Sequence, residues 1–205
     1  MATTTKQKAV GGGAAALVLV ILGAVSQLEG GFVDNPDDPG GATNHGVTEA
    51  VARQHGYKGP MELLPKELAT DILKQDYIVK PGFYPLIEIQ PAVAHKLIDA
   101  GVNVGPSRPS RWFQQSLNSL SRGGRDFPQI NVDGRIGPAT IRTYQALEQK
   151  RGKVLACEMT IKLLDSYQAQ HYVSLTNLHS FTPGWVSNRI GNVPLSQCTT
   201  YEAPR

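Results

Sequence analysis

The sequence predicts a mostly α-helical fold with at most a small strand or hairpin, and three observations carry that reading. Apolar residues recur at helical spacing, as in Leu64, Leu68, Ile72 and Leu73, and again in Trp112, Phe113, Leu117 and Leu120. Alternating runs of strand type are nearly absent. The helical segments are punctuated by proline at their starts and glycine at their ends. With 205 residues, 40% of them hydrophobic, the chain can bury one compact core or two small lobes.

At the N-terminus, Lys6 and Lys8 precede an uncharged run over residues 9–28. As a helix this run could cross a hydrocarbon core of about 30 Å, with its N-terminus on the cytoplasmic side. Its strong apolar centre is short, residues 17–22, and glycine and alanine dilute the rest. A cleaved signal peptide, a permanent anchor and an uncleaved segment that later leaves the membrane all fit such a run. Cleavage near Ala24-Val25-Ser26 would leave Glu29 beside a frayed end, which favours the uncleaved, releasable segment. Residues 14–28 would then also form the first helix of the active fold, capped by Gly30-Gly31.

Residues 29–48, EGGFVDNPDDPGGATNHGVT, follow as a glycine-rich loop. Thr48 can cap a helix over 49–55, closed by Gly56. Pro65 opens a helix over 65–77 that Lys80-Pro81-Gly82 ends. Of Tyr77, Phe83 and Tyr84, which could stack on sugars, a core role is the better reading. Further helices are expected over 89–100, capped by Gly101, over 108–121, from Pro138 and over 159–179. Asp133-Gly134 and Gly137-Pro138 read as a turn and a helix start, and Trp185 as a lock on the C-terminus. Residues 191–205 read as an irregular tail.

The loop gathers one Glu, three Asp and two Thr within twenty residues. Glu29 would sit at the negative end of an apolar helix, where both the dipole and burial disfavour its charge and raise its pKa. A protonated carboxyl beside ionised ones is the pairing that cleaves a glycosidic bond. Asp37 and Asp38, in the polar turn, are the candidates to stay charged. The plainer reading leaves Glu29 ending a helix and the aspartates capping turns.

The formal charge is +3, unevenly spread. Residues 31–105 carry six basic and ten acidic groups, whereas 106–205 carry twelve and six. The basic C-terminal half suits an anionic cell envelope, and no nucleic-acid motif with stacking aromatics accompanies it. Cys157 and Cys198 fit either one disulfide or two buried thiols. The five histidines form no HExxH pattern, so no metal or cofactor is expected.

The stretch at 29–48 resembles the signature of glycoside hydrolase family 108, which contains phage and bacterial muramidases. The resemblance implies a lysozyme-like helical fold with a glycine-rich catalytic loop and an N-terminal apolar helix. It implies that Glu29 is the essential acid, with Asp38 and Thr43 as its catalytic partners and Asp37 and Asn44 near substrate. The region from Asp99-Ala100-Gly101-Val102-Asn103 to Asp133-Gly134-Arg135-Ile136-Gly137-Pro138 resembles the peptidoglycan-binding-type domain that follows in this family, and Asn103 is a candidate to line the cleft between lobes.

The organisation expected is a membrane and first-helix segment at 1–28, a catalytic region at 29–90, a wall-binding region at 91–190 and a tail at 191–205. The function implied is a monomeric phage endolysin, a lysozyme cutting the β-1,4 bond between N-acetylmuramic acid and N-acetylglucosamine of peptidoglycan. It would be held at the host inner membrane through residues 9–28 and then released to the periplasm. A lytic transglycosylase and a non-catalytic wall-binding protein are the alternatives.

Overall fold

The computed structural model describes Val18 and residues 21–23, 31–34 and 41–201. Most of the expected membrane segment at 9–28 lies outside the described residues. Val18 and residues 21–23 are helical, and Val18, Ile21 and Leu22 are buried in the main core cluster. Among the described residues, no helix is long and apolar enough to cross a membrane.

The fold is mostly helical, as expected. It opens with a hairpin of strands β1 (Thr43–Asn44) and β2 (Val47–Thr48), in the region where the sequence allowed a small hairpin. Its turn residues, His45 and Gly46, have φ of 52° and 79°, the left-handed pair that closes a two-residue hairpin. Helix α1 (Glu49–Gln54) starts at once, and the Thr48 hydroxyl accepts from Val51 N. Gly56, with φ of 82°, ends that turn.

Helix α2 (Lys66–Lys74) begins after Pro65 and buries Ala69, Ile72 and Leu73. It passes into a π-helical turn at Gln75–Val79, a wider winding that shifts side chains off the α-helical stripe. At Gly82, with φ of 86°, a Cβ would collide with the backbone carbonyl of Ile136. Ile136 N in turn donates to Pro81 O at 3.1 Å.

Helix α3 (Tyr84–Ile89) has proline in its first turn. It leads into α4 (Pro91–Val104), the centre of the molecule, where every residue from 92 to 101 is buried. This helix packs against α3, α5 (Ser107–Leu120) and α7 (Lys153–Ser174). Its cap is Gly105, with φ of 80°, rather than Gly101. Gly101 sits inside the helix, where a Cβ would make ordinary contact with Pro106, 3.5 Å from its Cα.

Between α5 and α6 (Pro138–Arg151), the Asp133-Gly134 turn is held by Gln114. Its Nε2 donates to Asp133 Oδ1 at 2.8 Å and its Oε1 accepts from Gly134 N at 2.8 Å. The turn therefore serves the fold, as read from the sequence. Helix α7 starts six residues before the expected 159 and ends before 179. Gly152, with φ of 81°, separates it from α6. Helix α8 (Thr182–Arg189) follows.

The tail at 191–201 is anchored. A short 3-10 turn at Leu195–Cys198 packs on α7, and Cys198 is disulfide-bonded to Cys157 with Cα atoms 5.7 Å apart. Of the two options the cysteines allowed, the structure has the disulfide.

Candidate functional site

Strand alternation places the first wall of the site. Asn44 and Val47 face inward and are buried, so their neighbours Thr43 and Thr48, paired across the hairpin, face the other way. Both line a cleft of about 500 Å³ together with Gly46, a size suited to a small ligand or a short stretch of polymer. Val33 joins the hairpin edge through two backbone hydrogen bonds with Thr43, each 2.8 Å.

Of the residues singled out for chemistry, Glu29, Asp37 and Asp38 lie outside the described residues. Thr43 and Asn103 both line the cleft. Asn44 does not: it is 4% exposed, and its Nδ2 donates to the carbonyls of Met61 at 2.7 Å and Glu62 at 3.3 Å. Its amide ties the hairpin to the following loop, since buried backbone carbonyls need donors. The structure thus gives Asn44 a packing role in place of the substrate contact expected of it.

The floor is the C-terminal end of α4, at Val102, Asn103 and Val104. The opposite wall comes from the second half of the chain: Arg108, His171, Leu175, Leu178, Phe181 and Trp185. These residues were not singled out as a site in the sequence. They come from segments up to about eighty residues apart, and no local spacing joins them. Tyr77, read as a core residue, is half-buried and also lines the cleft, carried there by the π-helical turn. Phe83 is fully buried and Tyr84 partly so, as the core reading required.

The far wall is an aromatic ladder. Phe181 stacks on Trp185 with centroids 5.7 Å apart, and Trp185 on Tyr172 at 5.1 Å. Tyr172 continues to His171, and His171 to Trp112 at 5.9 Å. Trp185, expected to lock the C-terminus, stacks on the buried Tyr172 of α7 and also gives part of its surface to this cleft. Tyr172 and Trp112 are buried behind this wall, and Phe181 and Trp185 present to the cleft a stiff, amphipathic surface on which a sugar face can rest.

A relay of hydrogen bonds fixes the floor to the ladder. Gln168 Nε2 donates to the Tyr172 hydroxyl at 2.7 Å, and that hydroxyl donates to Asn103 Oδ1 at 2.8 Å. Burial, reinforced by the charge of Arg108, holds the His171 pKa below its ordinary value, so the ring is neutral near pH 7. Among the described residues, no carboxylate lines the cleft, and no group of three His, Cys, Asp or Glu side chains could hold a metal ion.

Residues 22–105 match the family described as glycosyl hydrolase 108, and residues 108–190 match the family described as Predicted Peptidoglycan domain. The two stretches meet where α4 ends and α5 begins. The first stretch is thus similar to glycosyl hydrolase 108 domains and the second to peptidoglycan-binding-type domains. Its fold is similar to the solved structure of SagA from Brucella abortus, with a TM-score of 0.69 and 27% sequence identity over 91% of this chain and 96% of that one. No curated protein matches the chain.

Proposed function

We propose that the protein is a phage endolysin of the muramidase type, hydrolysing the β-1,4 bond between N-acetylmuramic acid and N-acetylglucosamine in peptidoglycan. The observation that carries this reading is one cleft lined by both a glycoside hydrolase domain and a peptidoglycan-binding-type domain. In this mechanism Glu29 protonates the leaving oxygen. Asp38, with Asp37 beside it, stabilises the oxocarbenium-like charge or orients water, and Thr43 helps hold that water. Chain length supports the assignment: Glu29 is four residues before Val33, which pairs with Thr43, a reach of at most about 14 Å.

The N-terminal segment has a second role in this proposal. Residues 9–28 hold the enzyme at the host inner membrane with the catalytic region in the periplasm, and activity waits on their release. The buried positions of Val18, Ile21 and Leu22 support this, because apolar faces that lipid would cover find partners in the core. While the segment is inserted, that core lacks its first helix.

The test is lysis after expression in a Gram-negative host, comparing wild type with Glu29→Gln and following membrane association and chain size. Lysis by wild type alone, with a full-length chain moving from membrane to soluble fraction, is expected. Lysis by the variant would remove Glu29 from the mechanism, and a shortened soluble chain would replace release by cleavage. Product masses decide the chemistry: a hydrolase leaves a reducing muramic acid end, and a lytic transglycosylase leaves an anhydro end lighter by one water.

A further inference from the structure

We infer that Arg108, with Asn103 and His171, forms a subsite for a carboxylate carried by the muramic acid substituents of the glycan. The inference rests on the reading of peptidoglycan as substrate and names the part of it that this corner of the cleft takes.

The fold leaves several hydrogen-bond donors at this corner without acceptors among the described residues. Arg108 is exposed at the cleft. Among the described residues, its side chain makes one hydrogen bond, from Nη1 to the Val104 carbonyl at 3.0 Å. That bond holds the guanidinium at the mouth, and among the described residues its remaining N–H groups face no carboxylate. Asn103 supplies more. Because Tyr172 accepts from Gln168, its own proton goes to Asn103 Oδ1, which fixes the amide orientation. Asn103 Nδ2 then keeps both hydrogens, with no acceptor among the described residues.

His171 completes the corner. Arg108 is close enough to depress its pKa, and its ring is set by Trp112 and Tyr172 on the ladder. A neutral imidazole offers one further donor without adding a second charge. The result is a donor-rich corner with one fixed cation, set between a sugar-stacking wall and the Thr43 hairpin. Arginine's planar fork is matched to carboxylates, and such charge-assisted bonds are about twice as strong as neutral ones.

In the proposed substrate, carboxylates occur at two places. One is the lactyl group, where no peptide is attached. The other is the stem peptide, which carries free carboxylates of its own. The two share one chemistry, so substrates that separate them are needed. The subsite confers preference for the muramic acid side of the glycan rather than driving the bond cleavage itself.

The experiment measures hydrolysis by wild type and Arg108→Gln on three substrates: native sacculi, glycan strands stripped of peptide by an amidase, and sacculi whose carboxylates are blocked as amides. Arg108→Gln should raise KM about tenfold to a hundredfold on native sacculi, with kcat nearly unchanged. On blocked sacculi the two enzymes should be equal. A deficit that persists on stripped strands assigns the lactyl carboxylate, and one confined to peptide-bearing substrate assigns the stem peptide.

Asn103→Asp is the second variant. It preserves the acceptor for Tyr172 but replaces the two amide hydrogens with a negative charge, so it should also raise KM on native sacculi more than on blocked sacculi. Equal deficits on native and blocked sacculi, or no deficit in either variant, would overturn the inference. Wild type that cleaves none of the three substrates would instead overturn the function on which it rests.

Discussion

Arg189 Nη1 donates to Asp99 Oδ1 at 2.6 Å, joining two side chains ninety residues apart that are both buried. Beside them, Lys96 is 1% exposed. Its ammonium contacts Asp165 at 2.5 Å and the Arg189 carbonyl at 2.6 Å. Asp99 and Lys96 lie on the central helix α4, while Asp165 and Arg189 lie on α7 and α8. The ions fasten the aromatic wall of the cleft to its floor.

Removing one partner of such a pair should cost more than the pair contributes, because the other charge stays buried alone. Asp99→Ala is therefore expected to lower stability by about 3–5 kcal/mol. Urea unfolding measures it, and a loss comparable with that of an exposed pair would show that Arg189 finds water.

Disulfide reduction should loosen the tail. The bond spans 41 residues, and closing a loop of that length limits the unfolded chain by about 4 kcal/mol. Comparing unfolding midpoints with and without reductant tests this, and Cys157→Ala with Cys198→Ala should match the reduced wild type.

Acid should weaken the fold through His95 and His171. Burial lowers the His95 pKa, against the raising effect of Asp99 and with the lowering effect of Lys96; burial and Arg108 lower that of His171. The folded state thus binds protons more weakly than the unfolded chain. The contribution is complete above about pH 6.5 and is lost as pH falls below it, with a slope of at most about 1.4 kcal/mol per pH unit for each histidine. Urea midpoints between pH 7.5 and 5.5 should fall for wild type and flatten in a His95→Gln, His171→Gln double variant. Parallel curves would contradict this.

Gly82→Ala should be costly for two separate reasons. Its φ is that of a left-handed residue, and its Cβ would meet a backbone carbonyl that cannot swing aside. A loss of about 1–3 kcal/mol is expected from the backbone conformation alone, readable as a lower Tm. An unchanged Tm would mean that the segment at Ile136 shifts freely.

The sequence made most of the fold legible where the signal is local. Thr48 capping α1, Pro138 opening α6 and the turn at Asp133-Gly134 are each decided by a few neighbouring residues. Gly101 misled because a glycine inside a helix looks, in one dimension, like a helix end. Helix α3 was passed over because it is only six residues long and follows directly on the break at Lys80-Pro81-Gly82. In the site, Thr43 and Asn103 were legible through a family resemblance and a position between lobes. Arg108, His171, Phe181 and Trp185 were not, because only the folding of α7 and α8 against α4 brings them into one wall. Asn44 looked like a ligand contact because a buried amide bonded to backbone leaves no trace in the sequence.

The aromatic ladder has a consequence for engineering. Domains that grip a polymer are often treated as cassettes, exchanged between enzymes to redirect them to a new surface. Here Phe181 and Trp185 line the very groove that the Thr43 hairpin faces. A transplanted second domain would bring its own groove wall, and with it a different reading of the sugar chain. Under the proposed function, retargeting this protein by exchange would therefore alter what it cuts as well as where it docks.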